Sequence, residues 1–425
     1  MAKKMKSGWK HHSLVFLLIF VLLLLSACGS QGSNQPADGA TTVSEAAGKG
    51  AAGAEATGTG NKTLKIGALV SLSGPFAPLG ESVKNAVELY ADQHGNMLGD
   101  YKLELKFEDD ENNPQVALRK YRQLVDNEKI NLLIGPVSTT VVYAILNEIE
   151  KDKIIMLPNA GANDISWSKK SDYIYRVSMA SWQLATAGAD YFAEHLGKKV
   201  YTIAPDYAAG KEMLDAFTAA FTAAGGEIVG QAWPKVGTND FGSYLSQIAT
   251  SDIDFVYGFI PGTDGTRFIQ QYSQFGLKDK IPLAGAFSFN DPVIIDPAGD
   301  AAEGIVSVLH YSYVLDNPIN NEFVKAYEEK YSKVPDYFAS YGYDAVLAIG
   351  KAVQEAGDIG AESLVKAFDG LEFEGTRGTM TIDANTNNLI QKFYISKNVK
   401  KDGRIAPEIL QDLGVFQMPE NEPGN

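Results

Sequence analysis

From residue 64 onward, short apolar runs alternate with amphipathic stretches. LKIGALV at 64–70 has the length and continuity of a buried strand. Over 80–94 the apolar residues fall at helical spacing, with Val83, Ala86, Val87 and Tyr90 on one face. Residues 101–107 alternate as a strand. Pro114 opens a helix over 114–129, at a first-turn position where its missing N–H costs nothing. A strand at 130–134, a helix at 138–151 and a strand at 154–157 complete this run. The alternation resumes after 182, with helices at 183–196, 210–224, 241–249 and 265–275 and strands at 199–204, 227–233 and 255–259. Strands alternating with helices predict parallel sheets covered on both faces. Two such runs, each too short to close a barrel, predict an α/β chain with two doubly wound parallel-sheet lobes.

The front of the chain follows another pattern. Lys3, Lys4, Lys6 and Lys10 precede an unbroken apolar run at 14–25, LVFLLIFVLLLL. Its 12 residues suit a signal h-region and fall short of the roughly 20 that a spanning helix needs. Leu25-Ser26-Ala27-Cys28 then resembles a bacterial lipobox, which implies cleavage before Cys28 and lipidation of its thiol. Residues 29–62 are mostly Gly, Ala, Ser and Thr with almost no large apolar side chain, a composition that cannot offset its own ordering entropy. The expected layout is a signal peptide at 1–27 and a lipidated cysteine with a disordered tether at 28–62. The product would be extracytoplasmic and anchored to the cell membrane by lipid.

Charge and cysteine usage narrow the function. The formal net charge is −15, and loss of the four leader lysines takes it to −19. An acidic exported chain is a poor nucleic-acid binder, because phosphate contacts need Lys and Arg. A single cysteine excludes an internal disulfide framework and a multi-cysteine metal site. Outside the leader only His94, His195 and His310 remain, none in a metal-like pair. There is no G-x-S-x-G elbow, and no Walker or dinucleotide fingerprint follows a strand. The acid pair Asp109-Asp110 sits in a polar turn, FEDDENNP, and reads as solvated or structural rather than catalytic. No catalytic residue, metal or cofactor is expected, and the chain is expected to be a monomer.

In open parallel sheets, ligands sit beyond the carboxyl ends of the strands. Four loops there carry candidate chemistry: 71–80, 135–140, 158–164 and 204–210. Ser138 or Thr139 would cap a helix, offering a hydroxyl and free backbone N–H groups to an anionic ligand group. The ordered series IGALVSLSGPFAPLG, FEDDENNP, LLIGPVSTT, MLPNAGAND, YRVSMASWQ, YTIAPDYAAGKEM, FVYGF and GDAAEGIV resembles the leucine/isoleucine/valine-binding protein family. Each motif alone is weak; eight in order, over nearly all of 63–415, are specific. The resemblance implies a type I periplasmic-binding fold serving ABC permease subunits, with a small-molecule ligand between lobes that close by hinge motion. It places crossings near 179–182, 308–311 and 375–382. Lobe 1 is then 63–180 with 312–376, lobe 2 is 181–311 with 377–418, and 419–425 is a tail.

By that resemblance, a ligand carboxylate would meet Ser138 or Thr139, Ala160 and Ala162. Amino-acid binders of the family carry Thr or Ser where Ala162 stands, so one hydroxyl donor is missing. Counting from 255 to 285 puts the family's amine-binding acid on Phe287. A phenyl ring supplies an ammonium with only about 0.5–2 kcal/mol of cation–π attraction, and a desolvated ammonium without a counter-charge is costly. Asp206, Asp264 or Asp291 are the acids that would have to substitute. Leu79, Trp182, Tyr207, Phe287 and Tyr311 or Tyr313 are apolar or aromatic candidates for the cleft wall. A small carboxylate ligand, aromatic or otherwise free of an amine, is therefore expected alongside the family's branched-chain or hydrophobic amino acids. The alternative role is a ligand sensor feeding a membrane signalling protein.

Overall fold

The computed structural model describes residues 62–423; the expected signal peptide, Cys28 and all of the expected tether except Lys62, the first residue of the opening strand, lie outside them. The chain enters on β1 (Lys62–Val70), whose inner residues from Ile66 to Val70 are buried. The turn after it leads into α1 (Ala77–Gln93), and Val83, Ala86 and Val87 are buried as the helical spacing requires. Burial of such a side chain contributes roughly 1.5–3 kcal/mol. A short hairpin, β2 (Met97–Leu98) and β3 (Tyr101–Asp109), follows. Next come α2 (Pro114–Arg122), β4 (Leu132–Ile134), α3 (Thr139–Asp152) and β5 (Ile155–Leu157). The Asn113 side chain accepts from two backbone N–H groups of the first turn of α2, which fixes that helix start. The expected helix over 114–129 is α-helical only to Arg122. It continues as a π-helical turn, Gln123–Glu128, and stops at Lys129 in the left-handed region.

These strands form one sheet in the order β2-β3-β1-β4-β5, parallel except for the β2–β3 hairpin. The chain goes from β1 to β3 on one side and then jumps to β4 on the other. The crevice of this sheet therefore lies beyond the carboxyl end of β1.

Past the first sheet, α4 (Ser181–Ala187) and α5 (Ala189–His195) replace the single helix expected over 183–196. The break is at Gly188, where a Cβ would sit 2.1 Å from Val308. A second alternation follows: β6 (Lys199–Ile203), α6 (Ala208–Ala223), β7 (Glu227–Ala232), α7 (Gly242–Thr250), β8 (Phe255–Gly258), α8 (Thr263–Gln274), β9 (Leu283–Ala286), α9 (Pro292–Ala298) and β10 (Val306–Leu309). These strands pair in parallel in the order β7-β6-β8-β9-β10, with the same reversal at β6.

The chain then returns to the first lobe as α10 (Pro318–Tyr331), α11 (Tyr337–Ala356), which packs along α1, and α12 (Ala361–Phe368). A hairpin, β11 (Glu372–Gly375) and β12 (Gly378–Ile382), leads to two long strands, β13 (Leu389–Lys401) and β14 (Arg404–Phe416). β13 runs antiparallel to β10, β12 and β14. The second sheet is thus a parallel core with an antiparallel extension that the sequence pattern did not reveal. The architecture is two α/β lobes, each with a parallel sheet core, joined where the chain passes between sheets.

Among the described residues no helix is long and apolar enough to cross a membrane. Among them, too, no cluster of three or more His, Cys, Asp or Glu side chains is placed to hold a metal.

Candidate functional site

The carboxyl ends of the two parallel cores face one another across a narrow cavity of about 20 Å³. Every loop that the topology points to contributes. Leu79 comes from the first turn of α1, and Val137 and Thr139 from the segment after β4. Asn159, Ala160 and Gly161 come from the segment after β5. From the second lobe come Tyr207 and Ala209 after β6, Phe259 and Pro261 after β8, and Phe287 after β9. Met179 and Ser181, on the first passage between lobes, and Phe338 of α11 complete the wall.

Among these described residues none is charged. The polar lining is instead neutral and without partners. Thr139 Oγ1, Ser181 Oγ and both side-chain polar atoms of Asn159 are buried and make no hydrogen bond. Thr139 opens α3, so backbone N–H groups of the first helical turn also point outward without intrahelical acceptors. Such a set suits a carboxylate: it supplies hydroxyl and amide donors, and a carboxylate held by several N–H groups stays ionised without a cation.

The opposite wall is aromatic. Phe287 packs against Phe259 at 5.8 Å between ring centroids, and edge-on against Tyr337 at 4.1 Å. Tyr207 meets Phe76 of the other lobe at 5.9 Å, edge to face. Burial raises the Tyr207 phenol above its ordinary range, reinforced by Glu212 and Asp264 nearby, so it stays neutral.

The eight residues expected at the site divide. Leu79, Thr139, Ala160, Tyr207 and Phe287 are brought together on the cavity wall. Ser138, Ala162 and Trp182 are not among its lining residues. Ser138 is the cap residue of α3, with its hydroxyl buried and unpartnered. Ala162 is fully buried, and its carbonyl accepts from the Arg176 guanidinium. Arg176 also donates to Asn388 Oδ1 at 2.8 Å, and burial lowers it to about 10. Trp182 packs on Trp167 instead, at 6.5 Å. Its neighbour Ser181 takes the place at the cavity, because α4 starts two residues earlier than the pattern suggested and adjacent helical residues point about 100° apart.

None of the three acids that might replace an amine-binding carboxylate lines the cavity. Asp206 pairs with Lys211 at 2.8 Å. Asp264 pairs with Arg267 and accepts from the Gly237 N–H at 2.6 Å. Asp291 caps α9, accepting from the Val293 N–H at 2.8 Å, and lines a neighbouring hollow with Asp336 and Tyr337. Nor do Tyr311 and Tyr313 reach the main cavity; they line that same hollow.

The residues that sequence reasoning missed are Val137, Asn159, Gly161, Met179, Ser181, Ala209, Phe259, Pro261 and Phe338. The strand-end rule had marked the segments that carry Val137, Asn159, Gly161 and Ala209. Phe338 carried no signal, because it arrives from a helix some 180 positions after Asn159. A second, wider hollow is lined by Lys62, Tyr101, Lys351 and Glu374. It lies at the amino ends of β1 and β3, the wrong end of the sheet for the topology.

With this geometry in view, comparison with known proteins is decisive. A periplasmic binding protein family model matches residues 63–404. The chain belongs to the periplasmic binding protein family. A leucine/isoleucine/valine-binding protein homologue from Brucella suis is 30% identical over 346 residues, covering 80% of this chain and 88% of that protein. An ABC-transporter solute-binding protein from R. palustris, solved in complex with benzoate, superposes with a TM-score of 0.80 at 33% identity, covering 84% of this chain and 99% of that one. Another from Rhodopseudomonas palustris BisB5, in complex with 3,4-dihydroxybenzoic acid, gives 0.79 at 31% identity, covering 82% and 97%. As a periplasmic binding protein, the chain belongs to a family that captures solutes and carries out no catalysis.

Proposed function

We propose that this protein is the extracytoplasmic solute-binding component of an ABC importer and that its ligand is an aromatic carboxylate of the benzoate class. The observation that carries the proposal is the cavity wall: neutral hydroxyl and amide donors on one side, aromatic rings on the other, and no charged side chain among the described residues. The carboxylate would be received by Thr139 Oγ1, Ser181 Oγ and the amides at the start of α3. The ring would lie among Tyr207, Phe259 and Phe287. An α-amino acid would bring an ammonium into the same space and find no carboxylate there, which is the costly case. Benzoate and dihydroxybenzoate on two structural relatives at 33% and 31% identity support the same ligand class.

The same reading places the protein outside the cytoplasm as a monomer held by lipid on Cys28. Replacing Cys28 by Ser is expected to abolish labelling by a lipid precursor. Ligand class is tested by calorimetry. Benzoate and 4-hydroxybenzoate are expected to bind with leucine silent, and tight leucine binding without any response to amine-free acids would overturn the proposal.

A further inference from the structure

The mouth of the cleft carries an interlobe contact that the cavity itself does not use. Glu212 projects from α6 of the second lobe. Its carboxyl accepts from the Tyr143 hydroxyl at 2.6 Å and from the Asn163 backbone N–H at 2.7 Å, both on the first lobe. The Tyr143 oxygen in turn accepts from the Asp164 N–H at 3.2 Å. Tyr143 belongs to α3, the helix that opens at Thr139, and Asn163 follows the Asn159–Gly161 segment. Both partners are thus continuous with the donor side of the cavity. Asn163 is also fixed from behind, since its Oδ1 accepts from the Trp182 N–H at 2.9 Å on the first passage between lobes.

We infer that Glu212 is a proton-dependent latch that holds the two lobes closed, a positioning residue that never touches the ligand. The inference rests on reading the interlobe cleft as the ligand site. Among the described residues no ion pair involves the Glu212 carboxyl. Around it stand Tyr143, Asp164, Lys169, Arg176 and Tyr207. Lys169 pairs with Asp164 and lies over the Tyr143 ring at 4.5 Å. Arg176 is turned to Ala162 and Asn388. Lys211, on the same helix as Glu212, is turned to Asp206 and the Trp233 ring.

A neutral acid can keep both contacts: one oxygen accepts from the Asn163 N–H while the other shares its proton with the Tyr143 oxygen. Consistent with this, burial lifts Glu212 to about 7 against the hydrogen bonds and Arg176, which pull the other way. An open cleft would return it to water and its ordinary carboxylate range. The closed-state value is the raised one, so closure takes up a proton. Its contribution to closure is complete below the ordinary carboxylate pKa and is lost as pH rises through about 7.

The test is interlobe energy transfer in the full chain, with dyes on Lys151→Cys and Thr222→Cys in a Cys28→Ser background, from about pH 5.5 to about pH 8.5, with and without benzoate. In the chain with Glu212 intact, transfer is expected to fall with a midpoint near 7. Glu212→Gln places an amide that donates to Tyr143 and accepts from Asn163, so it should stay closed through that midpoint. Glu212→Ala should stay more open even at acid pH, which separates a latch from a group that merely fills space. Asp291 and Asp336, the other buried interlobe acids, are common to all three proteins. Superimposed curves for the intact and Gln proteins, or an Ala protein as closed as the intact one, would overturn the latch. Benzoate reports separately: its failure to raise transfer would reject the proposed ligand class and leave the pH comparison standing.

Discussion

Two buried polar regions of this protein lie side by side and obey opposite rules. Behind the cleft, where the first and third passages between lobes meet, the buried polar network is built on a charged pair, Arg377 and Asp344, that is fully partnered. Arg377 donates through Nε to Asp344 Oδ2 at 3.0 Å, through Nη1 to Gln391 Oε1 at 2.6 Å and the Ser178 carbonyl at 3.2 Å, and through Nη2 to the Val177 carbonyl. Asp344 also accepts from the Thr376 N–H at 2.7 Å and its hydroxyl at 2.8 Å. One guanidinium therefore ties the first passage, at 177–178, to the third, at 376–391. In the cavity the groups are neutral, and Thr139, Ser181 and Asn159 have no partners. Buried polar groups in folded proteins are almost always hydrogen-bonded. The unpartnered groups that also line the cavity are thus the ones placed to meet a ligand, and the Arg377–Asp344 set is scaffold.

Substitutions that treat the two regions alike should give unlike results. Asp344→Ala leaves the Arg377 guanidinium buried without its counter-charge, and should cost about 3–5 kcal/mol in urea denaturation; a loss below about 1 kcal/mol would make the hinge network ornamental. Thr139→Val removes a hydroxyl that bonds to nothing in the protein alone, so stability should hold or rise. Benzoate affinity should fall by about 1.5–3 kcal/mol, the value of a hydrogen bond to a charged group, and calorimetry checks both halves. Gly262 tests closure between these extremes. Its φ is +70°, and a Cβ there would lie 2.4 Å from the carbonyl oxygen of Pro75 on the other lobe. Gly262→Ala should weaken benzoate binding by about 1–3 kcal/mol through obstructed closure, seen as faster ligand release. Trp182→Phe should change affinity by less than about 0.5 kcal/mol, since Trp182 packs on Trp167 outside the cavity.

Sequence reading reached the two regions unequally for a physical reason. The parallel cores are built from local strand–helix units, so their periodicity is written in short windows, and the strand ends that carry Leu79, Thr139, Ala160 and Tyr207 could be found from it, while Phe287 came only from the resemblance to the leucine/isoleucine/valine-binding proteins. The hinge is built from contacts between distant positions. Arg377 meets Val177 and Ser178 roughly 200 residues away, and nothing near Arg377 in the chain announces them. The same holds for β13 and β14. Their ladder is irregular, with register shifts between Phe393 and Tyr394 and between Ile395 and Ser396, and β14 is half exposed without a clean alternation. The Trp182 and Ser181 exchange shows a finer limit. An error of two residues in where a helix begins is small for the fold and decisive for which side chain reaches the cavity. Ala162 illustrates another: a short side chain at the expected position is silent about whether its backbone faces a ligand or, as here, Arg176.

The most direct measurement is a crystal structure of the protein grown with benzoate. The account predicts the carboxylate within hydrogen-bond distance of Thr139 Oγ1 and Ser181 Oγ, with the ring among Tyr207, Phe259 and Phe287 and the Arg377–Asp344 network unchanged. Benzoate seated instead in the hollow beside Tyr101 and Lys351, or held through its carboxylate by a lysine or arginine side chain, would contradict it.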